Sequence, residues 1–314
     1  MAIPTIISML VTSIYNIVDT YFVGKINTQA TAAVGITFAV MSVIQAIGFL
    51  FGQGSGVYIS RKLGARKTGN AQKMASTAFF CSICSGLAIT AFGLLFLTPL
   101  SVALGSTPTI LPYTERYMAV ILIGAPFMTS SMTLNNQMRF QGNASYAMYG
   151  MVTGAILNVI LVPIFIFVLK MGILGAALAT VIGQICSFFI LLIMTFRGGN
   201  IRIKINDFSF EREYFAEIFK GGTPSLTRQG LASVSTMLLN VAAGAYGDAA
   251  IAGMSIVTRI SFVILSIVIG IGQGFQPLCG FCYGAKLYQR VRNGYFFSIK
   301  IATIFLIVCA ISGY

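Results

Sequence analysis

Seven carboxylates serve the whole 314-residue chain, and their positions narrow the chemistry it can do. Four of them (Asp207, Glu211, Glu213, Glu217) fall in one polar segment, residues 197–222. Asp248 sits in a Tyr-Gly-Asp turn, and Glu115 reads as a structural pair with its neighbour Arg116. That leaves Asp19, in the run Tyr15-Asn16-Ile17-Val18-Asp19-Thr20, inside an apolar frame. An ionisable group in an apolar helix is costly, so it normally faces a cavity or a partner. At helical spacing Tyr15 and Asn16 lie four and three residues before Asp19, on one shared face. Grouped so, Asp19 is a candidate proton acceptor or ligand for a hard cation; the plainer alternative is an interfacial Asp close to Lys25. Asn158, Thr180, Gln184, Arg228, Gln229, Asn240 and Arg259 are further polar residues in apolar frames. Each taken alone suits interhelical glue as well as function.

Enzyme chemistry finds no support. The chain contains no histidine, hence no HExxH and no histidine-activated nucleophile, and no GxxxxGK[ST] run for nucleotide phosphates. Two Cys-x-x-Cys pairs, Cys81/Cys84 and Cys279/Cys282, lack nearby further ligands and lie in apolar stretches, where cysteine behaves as a small hydrophobe. No cofactor is expected.

The elements that must hold these residues are membrane helices. With 57% hydrophobic and 9% charged residues, the composition argues against a soluble domain and against disorder. Apolar runs near 2–24, 30–60, 72–99, 113–138, 145–169, 172–196, 223–246, 250–280 and 293–314 are of helix-spanning rather than barrel-strand length. The net charge of +13 is a matter of topology, not of nucleic-acid binding. Fourteen Lys and Arg follow the second, fourth, sixth and eighth spans, against Lys25, Arg116 and Lys170 on the other side. The positive-inside rule then puts the N-terminus and the even-numbered loops in the cytoplasm.

An offset of 220 residues superposes the chain on itself. Pro4 falls on Pro224, Gly24 on Gly244, Gly52-Gln53-Gly54 on Gly272-Gln273-Gly274, and Gly64-Ala65-Arg66 on Gly284-Ala285-Lys286. Repeats of this length imply two homologous bundles, related as parallel repeats because six spans fit in the first copy. The expected division is an N-lobe over 1–199, a cytoplasmic linker over 200–222 ending in a short amphipathic helix, and a partial C-lobe over 223–314. Two full copies would need roughly 440 residues. The chain is therefore expected to hold a complete N-lobe and the start of a C-lobe, with transport by this piece alone not expected.

Several stretches resemble the multidrug and toxic compound extrusion (MATE) family: SMLVTSIYNIVDTYFVGKINTQATAAVG, IGFLFGQGSGVYISRKLGARK, NNQMRFQGNASYAMYGMVTGAILNVIL, GTPSLTRQGLASVSTMLLNVAAGAYGDAAIAGMSIVTRI and IGQGFQPLCGFCYGAK. They cover nearly the whole chain in family order and are most similar to the bacterial, staphylococcal-type multidrug pumps. The resemblance implies an all-α polytopic fold with two parallel six-helix lobes in the full protein, about nine helices being present here. It further implies a plasma-membrane antiporter, monomeric in the bilayer, that exports lipophilic organic cations in exchange for Na+ or H+. The family's coupling site maps onto Asp19, Asn158 and Thr180, with Tyr15, Asn16, Gln184, Arg228 and Gln229 as possible substrate or neighbouring residues. Many relatives carry a second carboxylate four residues after that Asn, directly before a proline; this chain has Val162 before Pro163. Rival readings are a lipid-linked oligosaccharide flippase or polysaccharide exporter of the same superfamily, and a non-transporting scaffold or channel.

Overall fold

The computed structural model describes residues 2–244 and 248–313; the side chains of residue 16, of most of 232–263 and of 312–313 are outside the described set. Those of Asn16, Asn240, Asp248 and Arg259 fall there. The described chain is helical: α1 (Ala2–Gly24), α2 (Thr28–Gly64), α3 (Thr68–Leu95), the short α4 (Leu97–Ala103), α5 (Leu111–Phe140), α6 (Ala144–Pro163), α7 (Ile173–Thr195), α8 (Arg212–Gly244), α9 (Asp248–Gly284) and α10 (Tyr288–Gly313). Eight helices among the described residues are long and apolar enough to cross a bilayer.

Local chemistry sets the helix ends. Asn27 caps α2 by accepting from the Ala30 N–H at 2.6 Å, as a short polar side chain should at an N-cap. Pro163 ends α6, and the chain continues as a π turn, Ile164–Val168, a common consequence of a lost backbone donor. The third apolar stretch stops at Leu95 rather than near 99, where α4 takes over. The fourth continues past 138, so Arg139 is helical and 3% exposed instead of lying in a loop. Its two terminal guanidinium nitrogens find acceptors inside the bundle, so burial does not require the helix to end earlier. Glu115 accepts from Thr98 at 2.5 Å and makes no ion pair with Arg116 among the described residues. Adjacent helical residues point in different directions and cannot face each other.

The even-numbered loops interlock at one end of the bundle, called here the basic end. Gln72 at the start of α3 donates to Asp207 at 2.7 Å, Ser76 accepts from the Lys204 N–H at 3.2 Å, and Gln141 accepts from the Ile201 N–H at 2.7 Å. The polar segment after α7 is thereby tied along α3, and α8 runs from Arg212 through Gly222 and Pro224 without a break.

The 220-residue repeat is visible in the backbone. α2 and α9 have 37 residues each, and their starts, ends and following turns keep the offset. Arg66 and Lys286, at matching positions, both take left-handed conformations, with φ of 59° and 60°.

The repeats do not pack independently. α1 packs on α9 and α6 far more than on α2, while α8 packs on α2 rather than on α9. The first helix of each repeat thus lies against the second helix of the other. At the basic end α2 and α9 cross so closely that a Cβ at Gly64 would strike the Phe281 carbonyl, and one at Gly284 the Arg61 carbonyl. Glycine is what lets two backbones approach in this way. Arg61 also pairs with Glu217 of α8, but the two side chains are 38% and 26% exposed, so the pair stabilises by no more than about 1 kcal/mol.

Candidate functional site

Two glycines bring the polar residues of α6 and α7 together. A Cβ on Gly154 would lie 2.7 Å from the Gly183 carbonyl oxygen, and one on Gly183 would lie 2.8 Å from that of Gly154. Asn158 is one turn beyond Gly154 and Thr180 one turn before Gly183, so the crossing sets them face to face. Asn158 Nδ2 donates to Thr180 Oγ1 at 3.2 Å, and the Thr180 hydroxyl in turn donates to the Ala176 carbonyl at 3.1 Å. Both residues are buried, at 3% exposed each.

α1 contributes Asp19 and Tyr15, which interact electrostatically. Tyr117 of α5 connects the two groups: its side chain, 1% exposed, has Asp19, Tyr15 and Thr180 as polar neighbours. The structure therefore brings Asp19, Tyr15, Asn158 and Thr180 into one cluster and adds Tyr117. Nothing in the spacing of Tyr117 ties it to Asp19; the packing of α5 on α7 and of α1 on α6 does.

Two oxygens in this cluster are buried without a hydrogen-bond partner among the described residues, Asp19 Oδ1 and Asn158 Oδ1. Unmade hydrogen bonds of buried polar atoms are expensive. Both atoms are acceptors, so a proton or a hard cation would satisfy them, whereas an anion would not. Asp19 is the one carboxylate assigned to the cluster, and the described residues hold no group of three His, Cys, Asp or Glu suited to a transition metal. Val162, one turn past Asn158, is 0% exposed within the apolar core beside Ile166 and Ala176.

The remaining sequence candidates lie elsewhere or at the margin. Gln184 is half-buried, four residues past Thr180 on α7. Arg228 is exposed on α8, where with Lys220, Thr223, Pro224, Thr227 and Leu231 it lines an open groove of about 650 Å³; Gln229 beside it is half-buried.

A repeated bundle of helices long and apolar enough to cross a bilayer, with a lone carboxylate at its polar cluster, has the build of a multi-pass membrane transporter. The chain belongs to the MatE family, whose model matches residues 4–164 and 224–314. It is similar to the multidrug export protein MepA of Staphylococcus aureus strain N315, 30% identical over 99% of this chain and 69% of that protein. The MepA of Staphylococcus haemolyticus strain JCSC1435 is 29% identical over 98% of this chain and 68% of its own. Among solved structures, the outward-facing conformation of a multidrug resistance MATE family transporter of the MOP superfamily superposes with a TM-score of 0.94 at 30% identity, covering 99% of this chain and 70% of that one. A MOP superfamily transporter from Pyrococcus furiosus, described as having a binding pocket of reverse polarity, gives a TM-score of 0.92 at 29% identity, over 98% and 69% of the two chains.

Proposed function

We propose that the chain is the core of an antiporter that moves lipophilic organic cations out of the cell in exchange for Na+ or H+ taken up at Asp19. The observation that carries this reading is the pair of unpartnered buried oxygens, Asp19 Oδ1 and Asn158 Oδ1, beside Thr180 and Tyr117. The N-terminus and the basic end face the cytoplasm, in the plasma membrane, with the monomer as working unit. The coupling ion neutralises Asp19 between α1, α5, α6 and α7, and α1 carries the difference to α9, against which its inner part packs. Exchange requires only that ion and drug favour opposite arrangements of the repeats. Tyr15 and Gln184 border the ion site, and Arg228 and Gln229 contribute to the drug path from α8; Asn16, whose side chain lies outside the described residues, joins them only by its position in the sequence of α1. The names of the staphylococcal relatives support the choice of drug export.

The direct test is efflux of a fluorescent lipophilic cation from proteoliposomes holding this chain within a transporter whose two repeats are both complete, under an imposed Na+ gradient and, separately, a pH gradient. Efflux driven by neither would sink the reading, and a response to one alone names the ion. Ion binding to the purified chain supplies a check that needs no transport. Val162→Asp adds a carboxylate one turn from Asn158 in an apolar core. Without Na+ it should destabilise the protein by about 1–3 kcal/mol, and Na+ should restore more stability to it than to the wild type. Thermal unfolding with and without Na+ reads both effects; an equal Na+ response in the two proteins would exclude Val162 from the site's surroundings.

A further inference from the structure

Arg139 is the buried charge that the ion site does not use. Its guanidinium donates to Asn136 on its own helix and, across the boundary between repeats, to the Gln273 side chain of α9. Its Nε–H is buried without a partner, and no carboxylate pairs with it among the described residues. Arg228 of α8 is its electrostatic neighbour, a like charge from the same opposing repeat. Gln273 is the centre of the repeated Gly-Gln-Gly and is itself 4% exposed.

The other contacts between repeats have a different character. The α2–α9 crossing is backbone against glycine, Ser13 of α1 meets Ser266 of α9 through neutral hydroxyls at 2.8 Å, and Arg61–Glu217 lies partly in solvent. Glycine contacts slide and part without leaving a polar group stranded. The hydrogen bonds of a guanidinium to neutral amides are charge-assisted and replace those it would make to water, so this bond holds only while the seam is shut and dry. Once the seam parts, water supplies acceptors for every guanidinium N–H, the unpartnered Nε–H included.

We propose that Arg139 is a gating residue: its bond to Gln273 latches the two repeats at the basic end, and the seam opens by handing the guanidinium from Gln273 to water. This rests on the reading that the repeats move apart during transport. Arg139 acts by positioning the repeats, not by touching the coupling ion. The like charge of Arg228 keeps the latch releasable, because it opposes closure.

Hydrogen–deuterium exchange of the whole chain in lipid nanodiscs tests the latch. Arg139→Gln and Gln273→Leu should each speed exchange of α9 amides between residues 264 and 284 by about tenfold, leaving α6 and α7 as protected as in the wild type. Gln273→Glu, which turns the bond into an ion pair, should slow the same amides by about threefold or more. The opposite sign separates a latch from simple damage. Unchanged α9 protection in all three variants, or faster exchange shared equally by α6 and α7, would overturn the proposal. The same comparison repeated on Asp19→Asn separates the two ideas. If Na+ and pH leave Asp19 indifferent but the three variants behave as expected, the ion reading fails and the latch stands; the reverse result removes the latch alone.

Discussion

Asp19→Asn should remove all stabilisation of the protein by its coupling ion while leaving the ion-free protein as stable as the wild type, or more so. An ion present at a hundred times its dissociation constant stabilises the folded state by about 2.7 kcal/mol. In Asp19→Asn the site keeps its Asn158 and Thr180 oxygens but loses its anion, and amide oxygens alone do not repay dehydration of a cation. The ion-free protein responds the other way, because the substitution removes a carboxylate whose Oδ1 is buried without a partner. Thermal unfolding in detergent, with Na+ titrated at fixed pH and pH varied without Na+, reads both signs. An ion-induced shift equal to that of the wild type would remove Asp19 from the site.

Gly154→Leu should break the same site without touching any of its polar groups. The new Cβ would lie 2.7 Å from the Gly183 carbonyl and 2.9 Å from Ser187 Cβ, and backbone cannot step aside as a side-chain tip can. α6 and α7 must separate, at a cost of about 1–3 kcal/mol from overpacking. The Asn158–Thr180 hydrogen bond, already 3.2 Å long, would not survive a shift of one ångström. Each 1.4 kcal/mol of lost binding energy is tenfold in affinity, so ion affinity should fall by at least about tenfold. Gly35→Ala is the control: nothing lies within 4 Å of a Cβ there, and alanine in a helix interior should leave stability equal or raise it by up to about 1 kcal/mol. Isotopic Na+ binding and thermal unfolding of both variants decide the matter. Undiminished binding in Gly154→Leu would mean that the α6–α7 crossing does not shape the site.

Much of this arrangement was legible before any coordinates. Residues whose signal is their own type were readable: a lone Asp in an apolar helix, and Gly-Gln-Gly recurring 220 residues apart at the same point of two 37-residue helices. Tyr117 and Arg139 were not. A tyrosine in an apolar helix has no spacing that marks it as the polar neighbour of a residue about 100 positions earlier. Arg139 sits at the edge of an apolar run, where sequence reads any arginine as a loop charge; its burial depends on Gln273, which follows 134 residues later. Helix ends were misread where the cause was tertiary, as with α5 prolonged to Phe140. The Asn158–Thr180 contact lay between these cases: the family resemblance paired the residues, and the glycines that bring them together went unnoticed.

The exchange of first helices between repeats also sets the order of assembly. Ser13 meets Ser266 across 253 residues of chain, so the surface of α1 that belongs to α9 stays uncovered until the second repeat has been made. At about 5–20 residues per second of synthesis, α1 waits roughly 10–50 s, carrying its carboxylate, before its final neighbour exists. The helix that holds the ion site enters the membrane long before the neighbour that locks it there. Anything that shields α1 in that interval, lipid or insertion machinery, takes part in building the site.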